Sequence, residues 1–267
     1  MRDLRVTLVQ CSTHWHDAAA NRADFAARIA ALDSPTDLIV LPEMFSTGFT
    51  MASESQAEPM DGPTVAWLRE QADATDAAVA GSVVIVEDGR HYNRFLAALP
   101  GGGLVSYDKR HLFRMAGEHD HYAAGTQRCI FDWRGWRICP QVCYDLRFPV
   151  FARNRIAAVD DGAEGGAYDL LLYVANWPAR RAAHWKTLLA ARAVENQSWV
   201  VGVNVVGRDG AGVDYCGDSG VWAPDGAAQA ALGDGERTER VTLDRRALDE
   251  WREAFPAWKD ADAFSLS

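Results

Sequence analysis

The sequence has no apolar run long enough to cross a lipid bilayer. Its longest apolar stretches are residues 38–42, 170–175 and 200–206, whereas a membrane-spanning helix needs about 20 consecutive apolar residues. The first residues, MRDLRVTLVQ, mix charged with apolar side chains and do not resemble a signal peptide. With 48% hydrophobic and 24% charged residues, the composition is that of an ordinary globular protein. We therefore expect a soluble, cytoplasmic protein without a membrane partner.

Sequence patterns that bind metals, nucleotides or nucleic acids are also missing. The five cysteines are an odd number in a chain without an export signal, which favours free thiols in a reducing compartment. His119, His121, Cys139 and Cys143 match no zinc spacing, and no H-E-x-x-H is present. The glycine run at 101–103 lacks the G-x-G-x-x-G frame, and a net charge of −10 does not favour nucleic acid. We expect no metal, no cofactor and no nucleic-acid partner.

Strand-like and helix-like patterns alternate along the chain. Strands are predicted at residues 4–10, 38–41, 77–86, 94–99, 104–107, 136–142, 170–175, 200–206, 213–222 and 239–243. Helices are predicted at residues 18–32, from residue 63 onward, at 146–159 and at 181–197, with a polar loop at 160–166. No linker-like stretch interrupts the pattern. We therefore expect one α/β domain over residues 1–267, with mixed sheets packed face to face and covered by helices.

Three reactive side chains each follow a predicted strand. Glu43, Lys109 and Cys143 come just after the strands at 38–41, 104–107 and 136–142, and functional groups of α/β folds collect beyond the carboxyl ends of strands. Lys109 stands out because the chain has only three lysines and otherwise uses arginine for positive charge. Cys143 also precedes a predicted helix, whose N-terminal dipole would stabilise a thiolate. These residues are the first candidates for a catalytic site.

The segments around these residues resemble the signature regions of the nitrilase, or carbon–nitrogen hydrolase, superfamily. The matching segments are L-P-E at 41–43, D-K-R-H-L at 108–112 and V-C-Y-D-L-R-F-P at 142–149. Within the superfamily the chain is most similar to the omega-amidases, through N-W-P at 176–178 and further residues up to 212. The resemblance covers residues 6–222. It implies a four-layer α-β-β-α sandwich of the nitrilase type.

The resemblance also implies a reaction, hydrolysis of the terminal amide of a 2-oxo-dicarboxylic acid monoamide through a cysteine thioester. In that reaction Cys143 is the nucleophile and Glu43 the general base and acid. Lys109 and the backbone N–H of Tyr144 face the oxyanion. Glu118 matches the family's second glutamate, which orients Lys109 or the substrate amide. No cofactor is required by this mechanism.

A 2-oxo acid carries a carboxylate at the end opposite its amide, so the pocket needs a cation there. Arginine holds a planar carboxylate best, and Arg181 lies in the loop after the strand at 170–175, which opens at the catalytic edge. Arg147 is the alternative, although it could instead form a salt bridge within the helix predicted after Cys143. Trp177 is a further substrate-binding candidate, and Arg180 is expected to face solvent.

The resemblance further implies a homodimer or a larger homo-oligomer, formed by helices that pack outside the sandwich. The predicted helices at 146–159 and 181–197 are the candidate interface. Small alanine side chains in the second of these permit close helix packing, whether against another subunit or against a sheet.

Three alternatives are weighed against this interpretation. Seven histidines are available for a papain-like Cys–His–Asn site, but the local papain signature is missing. The substrate could instead be another small amide or a carbamoyl compound. The chain could also be a non-catalytic scaffold member of the superfamily, against which the intact set of Glu43, Lys109, Glu118 and Cys143 argues.

Overall fold

Two six-stranded mixed sheets form the centre of the molecule in the computed structural model, which describes residues 2–158, 164–262 and 264. The strands are β1 (Leu4–Gln10), β2 (Leu38–Val40), β3 (Ala78–Glu87), β4 (Arg90–Ala98), β5 (Leu104–Asp108), β6 (Phe131–Trp133), β7 (Trp136–Val142), β8 (Ile156–Ala158), β9 (Glu164–Gly166), β10 (Leu170–Val174), β11 (Trp199–Val203), β12 (Val206–Arg208), β13 (Asp214–Cys216), β14 (Gly220–Trp222), β15 (Ala228–Ala231) and β16 (Arg237–Leu243). The helices are α1 (Ala18–Ala30), α2 (Ser53–Gln56), α3 (Pro63–Thr75), α4 (Glu118–His121), α5 (Pro149–Ala152), α6 (Ala182–Asn196) and α7 (Arg245–Ala254). Short 3₁₀ turns lie at Arg114–Ala116, Cys143–Arg147, Ala179–Arg181 and Ala257–Asp260. Within these described ranges, none of the helices is long and apolar enough to span a membrane.

Each sheet has three adjacent parallel strands flanked by antiparallel ones. The first sheet has the order β16-β1-β2-β3-β4-β5, with β1, β2 and β3 parallel. The second has the order β15-β14-β11-β10-β7-β6, with β7, β10 and β11 parallel. Parallel neighbours require long crossover connections, and α1, α3 and α6 lie in those connections. Two separate hairpins, β8-β9 and β12-β13, complete the strands that the structure describes.

The two sheets pack face to face around a shared apolar core. Leu4, Val6 and Leu8 of β1 belong to the same buried cluster as Ile138 of β7 and Leu172 of β10. Side chains of a strand alternate between its two faces, so these even-numbered residues of β1 face the second sheet. The odd-numbered positions are then free to pack on a helical layer.

Helices cover the outer face of each sheet. Val9 and Ile39 of the first sheet pack with Phe25 of α1 and Leu68 of α3 in a second buried cluster. On the other side, α6 packs against β11. The four layers are therefore helices, sheet, sheet and helix, and the predicted α-β-β-α sandwich is confirmed.

Most of the predicted elements lie where the apolar periodicity placed them. The strands at 4–10 and 136–142 have the predicted bounds, and the predicted turn at 88–89 joins β3 to β4. Asp88 and Gly89 in this turn have φ angles of 50° and 71°, the left-handed conformations of a two-residue hairpin turn. The sequence missed the helices α2, α4 and α7 and the strands β6 and β15, of which β15 is mostly exposed.

The predicted helix at 146–159 is wrong. The chain instead forms the 3₁₀ turn Cys143–Arg147, one helical turn in α5 and the strand β8, which pairs with β9. A proline disfavours the helical conformation of the residue before it. Phe148 precedes Pro149 and has the non-helical angles φ −117° and ψ 81°. Asn154 then binds the backbone of Tyr168 and Asn196 through its side chain. Val159, and residues 160–163 of the predicted loop, lie outside the described residues, and 164–166 form β9.

The predicted strands at 200–206 and 213–222 are each divided in two. Asn204 donates its backbone N–H to Ser219 Oγ at 2.9 Å, and its side-chain amide donates to the Gly217 carbonyl at 2.7 Å. These side-chain contacts take the place of regular strand hydrogen bonds at two points of the chain. One point lies between the end of β11 and the start of β12, and the other between the end of β13 and the start of β14. As a result, β12 and β13 form a hairpin apart from the second sheet.

The close approach of α6 to β11 gives a stability prediction. A Cβ atom at Gly202 would lie 2.7 Å from Leu189 Cδ1 and 2.8 Å from Trp185 Cζ2. Gly202→Ala should therefore lower the free energy of unfolding by about 2 kcal/mol, as overpacked core positions do. Gly235→Ala is the matched control because its Cβ would meet no atom within 4 Å. Equal denaturant midpoints for both variants would contradict this account of the helix–sheet contact.

Candidate active site

Three strand ends bring the predicted catalytic side chains to one edge of the sandwich. Glu43 follows β2 after Leu41 and Pro42, Lys109 directly follows β5, and Cys143 directly follows β7. The first two strands belong to the first sheet and β7 to the second. Glu43 and Lys109 are almost fully buried, and Cys143 is 8% exposed. Face-to-face packing of the sheets therefore assembles residues from three separate chain segments.

Lys109 lies between two buried carboxylates. Its Nζ atom is 2.8 Å from Glu43 Oε1 and 2.9 Å from each carboxylate oxygen of Glu118. The side chains of all three residues are shielded from solvent. Glu118 opens α4 and also accepts a hydrogen bond from the backbone N–H of Phe113. The structure thus brings together the glutamates and the lysine that the sequence singled out.

The Lys109 ammonium pairs with the carboxylates of both Glu43 and Glu118, and this sharing shifts the pKa values of Lys109 and Glu118. Burial lowers the pKa of Lys109, but the charges of Glu118 and Glu43 outweigh it and hold that pKa above its ordinary value. Burial, together with the charge of Glu43, raises the pKa of Glu118, although Lys109 opposes the rise. Lys109 therefore stays positively charged, whereas burial beside Glu43 makes the ionised form of Glu118 less favourable than in water.

Two asparagines that sequence reasoning missed complete the environment of Glu43. Asn93 of β4 donates its side-chain amide to Glu43 Oε1 at 2.8 Å and to Glu118 Oε1 at 3.2 Å. Asn176 donates its backbone N–H to Glu43 Oε2 and its side-chain amide to the Glu43 carbonyl, both at 2.7 Å. The predicted strand began at residue 94, so Asn93 lay just outside it, whereas β4 begins at Arg90 and includes this asparagine, a residue type that is depleted in strands.

Cys143 has a strained backbone and a thiol that holds its proton. Its φ angle is 44°, a left-handed conformation that costs free energy in a non-glycine residue and recurs at functional sites. Burial raises the pKa of the Cys143 thiol well above its usual value, and the charge of Glu43 adds to this despite the opposing charge of Lys109. The expected stabilisation of a thiolate by a helix N-terminus is therefore wrong. Cys143 begins a five-residue 3₁₀ turn and faces a carboxylate.

Asp145 ties the segment of Cys143 to the segment of Lys109. Its fully buried carboxylate accepts hydrogen bonds from the backbone N–H of Val142, the backbone N–H of His111 and the Tyr107 hydroxyl. His111 Nδ1 also lies 2.7 Å from Asp145 Oδ1. Sequence reasoning did not single out this residue, whose partners lie up to 38 positions away.

Tyr144, whose backbone N–H is the predicted oxyanion donor, directly follows Cys143. It is the second residue of the 3₁₀ turn Cys143–Arg147, where backbone N–H groups have no acceptor within the turn. Tyr144 lines the same cavity as Cys143 and Lys109.

A cavity of about 390 Å³ opens beside Cys143. Trp15, Phe49, Met51 and Phe113 give it apolar walls. No histidine of the described chain lines it, which removes the support for a papain-like Cys–His pair. In the part of the chain that the structure describes, no group of three or more His, Cys, Asp or Glu side chains could hold a metal ion.

Three arginines line the cavity. The ion pairs found among the described residues include none of Arg147, Arg180 and Arg181. Arg181 Nη2 is buried and has no hydrogen-bond partner within the described structure. Burial and the charges of Arg180 and Arg147 lower the pKa of Arg181. The cavity therefore holds concentrated positive charge that a bound anion would neutralise.

Arg147 and Trp177 also lie at the cavity, as predicted for substrate-binding residues, but Arg147 has an unexpected partner. Its Nη2 atom is 3.0 Å from His184 Nδ1, and its guanidinium carbon lies 4.8 Å from the centre of the Trp177 ring. The salt bridge considered for Arg147 is not formed among the described residues. Trp177 is buried and donates its indole N–H to the Arg181 carbonyl at 2.8 Å. Arg180 is exposed, as expected, yet it also lines the cavity.

Comparisons with known proteins place this site in a family. The family model described as carbon-nitrogen hydrolase matches residues 5–253. The chain is 48% identical over 268 residues to omega-amidase YafV of Escherichia coli (strain K12), covering all of both chains. It is 33% identical over 227 residues to the 2-oxoglutaramate amidase of Bacillus subtilis (strain 168), covering 84% of each.

A solved structure agrees with these relatives. A CN-hydrolase superfamily protein from Xanthomonas campestris with an arsenic adduct in its active site is 50% identical, with a TM-score of 0.96 over the whole of both chains. The chain therefore belongs to the carbon–nitrogen hydrolase family. The predicted resemblance to the omega-amidase branch is confirmed.

Proposed function

We propose that this protein is an omega-amidase, which hydrolyses the terminal amide of a 2-oxo-dicarboxylic acid monoamide, such as 2-oxoglutaramate or 2-oxosuccinamate, to the dicarboxylic acid and ammonia. The observation that carries the proposal is Arg181, which lines the cavity that also contains Cys143 and whose Nη2 is buried without a hydrogen-bond partner among the described residues. The proposed substrate carries an amide at one end and a carboxylate at the other, so its amide can lie at Cys143 while its carboxylate lies at Arg181. The named activities of the relatives support the same substrate class.

The first step transfers the Cys143 proton to Glu43. Because the thiol is protonated in the free enzyme, it needs a base as it attacks the amide carbon. Glu43 Oε1 already accepts hydrogen bonds from Lys109 and Asn93, whereas Oε2 accepts only the Asn176 N–H. A carboxylate oxygen has two acceptor positions, so Oε2 keeps one for the thiol proton.

The attack places a negative charge on the former carbonyl oxygen of the substrate. We propose that Lys109 and the Tyr144 N–H stabilise this oxyanion, a contribution of about 3 kcal/mol per donor in other acyl-transfer enzymes. Lys109 reaches both oxygens of Glu118 at equal distance, so one of its N–H groups can turn toward the oxyanion. Glu118 acts as a positioning residue because it contacts Lys109 rather than the cavity.

Collapse of the intermediate breaks the carbon–nitrogen bond and leaves a thioester on Cys143. Glu43 returns its proton to the departing nitrogen, which leaves as ammonia. A water molecule then enters, gives its proton to Glu43 and attacks the thioester carbon, and the thiol regains that proton as the acid is released. The balance is one amide and one water converted to one carboxylic acid and one ammonia.

We also propose that the whole chain forms one domain and acts in the cytoplasm as a homodimer or larger homo-oligomer. One buried cluster includes residues of both sheets, which supports a single folding unit. All five cysteines are free, which fits a reducing compartment. Of the two predicted interface helices only α6 exists, so α6 is the remaining candidate.

The nucleophile can be tested by substitution. Cys143→Ala should abolish ammonia release from 2-oxoglutaramate, because no other thiol lines the cavity within the described structure. The variant should remain folded. Wild-type protein quenched during turnover should carry an acyl adduct on the peptide that contains Cys143. Cys216→Ser, at a thiol that contacts Asp218 instead, is the control and should stay active. Substantial turnover by Cys143→Ala would refute the mechanism.

Substitutions can show whether Glu43 or a histidine is the general base. Glu43→Gln keeps the shape of the side chain but cannot accept the thiol proton, so kcat should fall on the order of 10²–10⁴-fold. Replacing each of the seven histidines in turn should cost less. If one histidine variant lost as much activity as Glu43→Gln, the Cys–His alternative would return.

Substrate choice can be tested at Arg181. Arg181→Met should lower kcat/KM for 2-oxoglutaramate on the order of 100-fold, through KM, because a charge-assisted contact is lost. Turnover of a neutral amide such as butyramide should change little, and Arg181→Lys should recover part of the loss. Arg246→Met, at an exposed arginine of α7, is the control. Equal losses on both substrates would assign Arg181 a structural role, and would favour another small amide as the substrate.

A further inference from the structure

Asn93 contacts all three residues of the buried cluster formed by Glu43, Lys109 and Glu118, although it does not line the cavity. Its side-chain amide donates to Glu43 and to Glu118, and its backbone carbonyl accepts the N–H of Lys109 at 3.0 Å. The residue is fully buried in β4. Any effect of Asn93 on the reaction must therefore pass through these neighbours.

The partners on both sides of the Asn93 amide agree on its orientation, which the two carboxylates decide because they can only accept hydrogen bonds when ionised. The backbone N–H of Met44 lies 2.8 Å from Ser82 Oγ, and a backbone N–H can only donate. Ser82 Oγ also lies 2.8 Å from Asn93 Oδ1, so the hydroxyl gives its single proton to that oxygen. The Nδ2 group must then point toward the two carboxylates. A reversed amide would place its oxygen against two negative charges.

Ser82 fixes Glu43 at the same time. Met44 follows Glu43 in the chain and has a φ angle of 43°, a left-handed conformation that needs support from its surroundings. The hydrogen bond from the Met44 N–H to Ser82 supplies that support. Ser82 therefore links the backbone beside Glu43 to the amide that binds its carboxylate.

The amide has an electrostatic consequence for the cluster. Two buried carboxylates that share one ammonium tend to hold an extra proton between them, as paired carboxylates do. A proton on Glu43 would prevent it from accepting the thiol proton of Cys143. Asn93 gives each carboxylate a neutral N–H donor, and hydrogen bonds to the charged form favour that form.

We infer that Asn93, oriented by Ser82, is a positioning residue that favours the charged form of the carboxylate cluster and holds Glu43 with its one open acceptor, on Oε2, toward Cys143. This inference rests on the proposed role of Glu43 as the base. The titratable groups around Glu43 are Lys109, Glu118 and Cys143, with Tyr122 and Tyr215 beyond them. Among them Lys109 also donates to Oε1, and Asn93 supplies the second donor to that atom.

The test measures the pH dependence of two reactions of Cys143. The rate of its alkylation by iodoacetamide and kcat/KM for 2-oxoglutaramate should both fall on the acid side as the buried carboxylate cluster takes up a proton. In Asn93→Leu the midpoint of this fall should move up by about one pH unit, since one donor to the carboxylate is lost. At a pH well below both midpoints, kcat per folded molecule should then be on the order of tenfold lower than in the wild type, with KM within about twofold, because Asn93 does not line the cavity.

Further variants separate positioning from simple stability. Asn93→Asp places a third carboxyl group in the cluster and should move the midpoint further up. Ser82→Ala should move it in the same direction by less, and should add little in the Asn93→Leu background. Asn154→Leu is the control, since Asn154 is a buried asparagine that binds backbone groups away from the cavity. It should lower Tm and leave the midpoint unchanged.

The outcomes distinguish this inference from the proposed function. An unchanged midpoint in Asn93→Leu, or a loss of rate without a shift, would overturn the positioning role while the amidase proposal stands. If wild-type protein does not hydrolyse 2-oxoglutaramate, the proposed substrate is wrong, and the alkylation profile still decides the role of Asn93. Should Asn93→Leu fail to fold, Asn93→Asp and Ser82→Ala carry the same test.

Discussion

The structure depends on the burial of one ammonium group between two carboxylates. Removing Lys109, Glu43 and Glu118 from water is costly, and only close ion pairs and additional hydrogen bonds can offset that cost. The donors come from distant parts of the chain, Asn93 in β4 and Asn176 after β10. The buried charges can therefore be satisfied only when both sheets are in place. The same arrangement leaves one acceptor of Glu43 free for chemistry.

Strained backbone lies on both sides of the proposed proton transfer. Met44 next to Glu43 and Cys143 itself have positive φ angles of 43° and 44°. Each strained residue has nearby support, from Ser82 for Met44 and from Asp145 for the turn that begins at Cys143. Strain of this kind persists where surrounding contacts fix the conformation. The sharp turns after β2 and β7 place the base and the thiol against each other rather than along their strands.

The electrostatics of the cavity are opposite to those of the whole chain. The protein has a net charge of −10, yet the cavity contains Arg147, Arg180 and Arg181. Local fields in a cleft depend on the groups that line it and on the low-dielectric walls, not on the overall charge. An acidic protein can therefore attract an anionic substrate. The depressed pKa of Arg181 reflects burial and the repulsion among these cations before an anion is bound.

The sequence by itself determined the elements whose signals are local, such as β1, β7 and α3, and the identity of the reactive residues at strand ends. The end of the helix at Phe148 also has a local cause, the proline that follows it, which the predicted helix overlooked. The sequence could not show that Asn204 and Ser219 interrupt two strands, because a distant segment supplies the competing contacts. Asn93 lies 50 positions from Glu43. Only tertiary structure decided its role and the raised pKa of Cys143, because burial and hydrogen-bond partners arise when distant segments pack together.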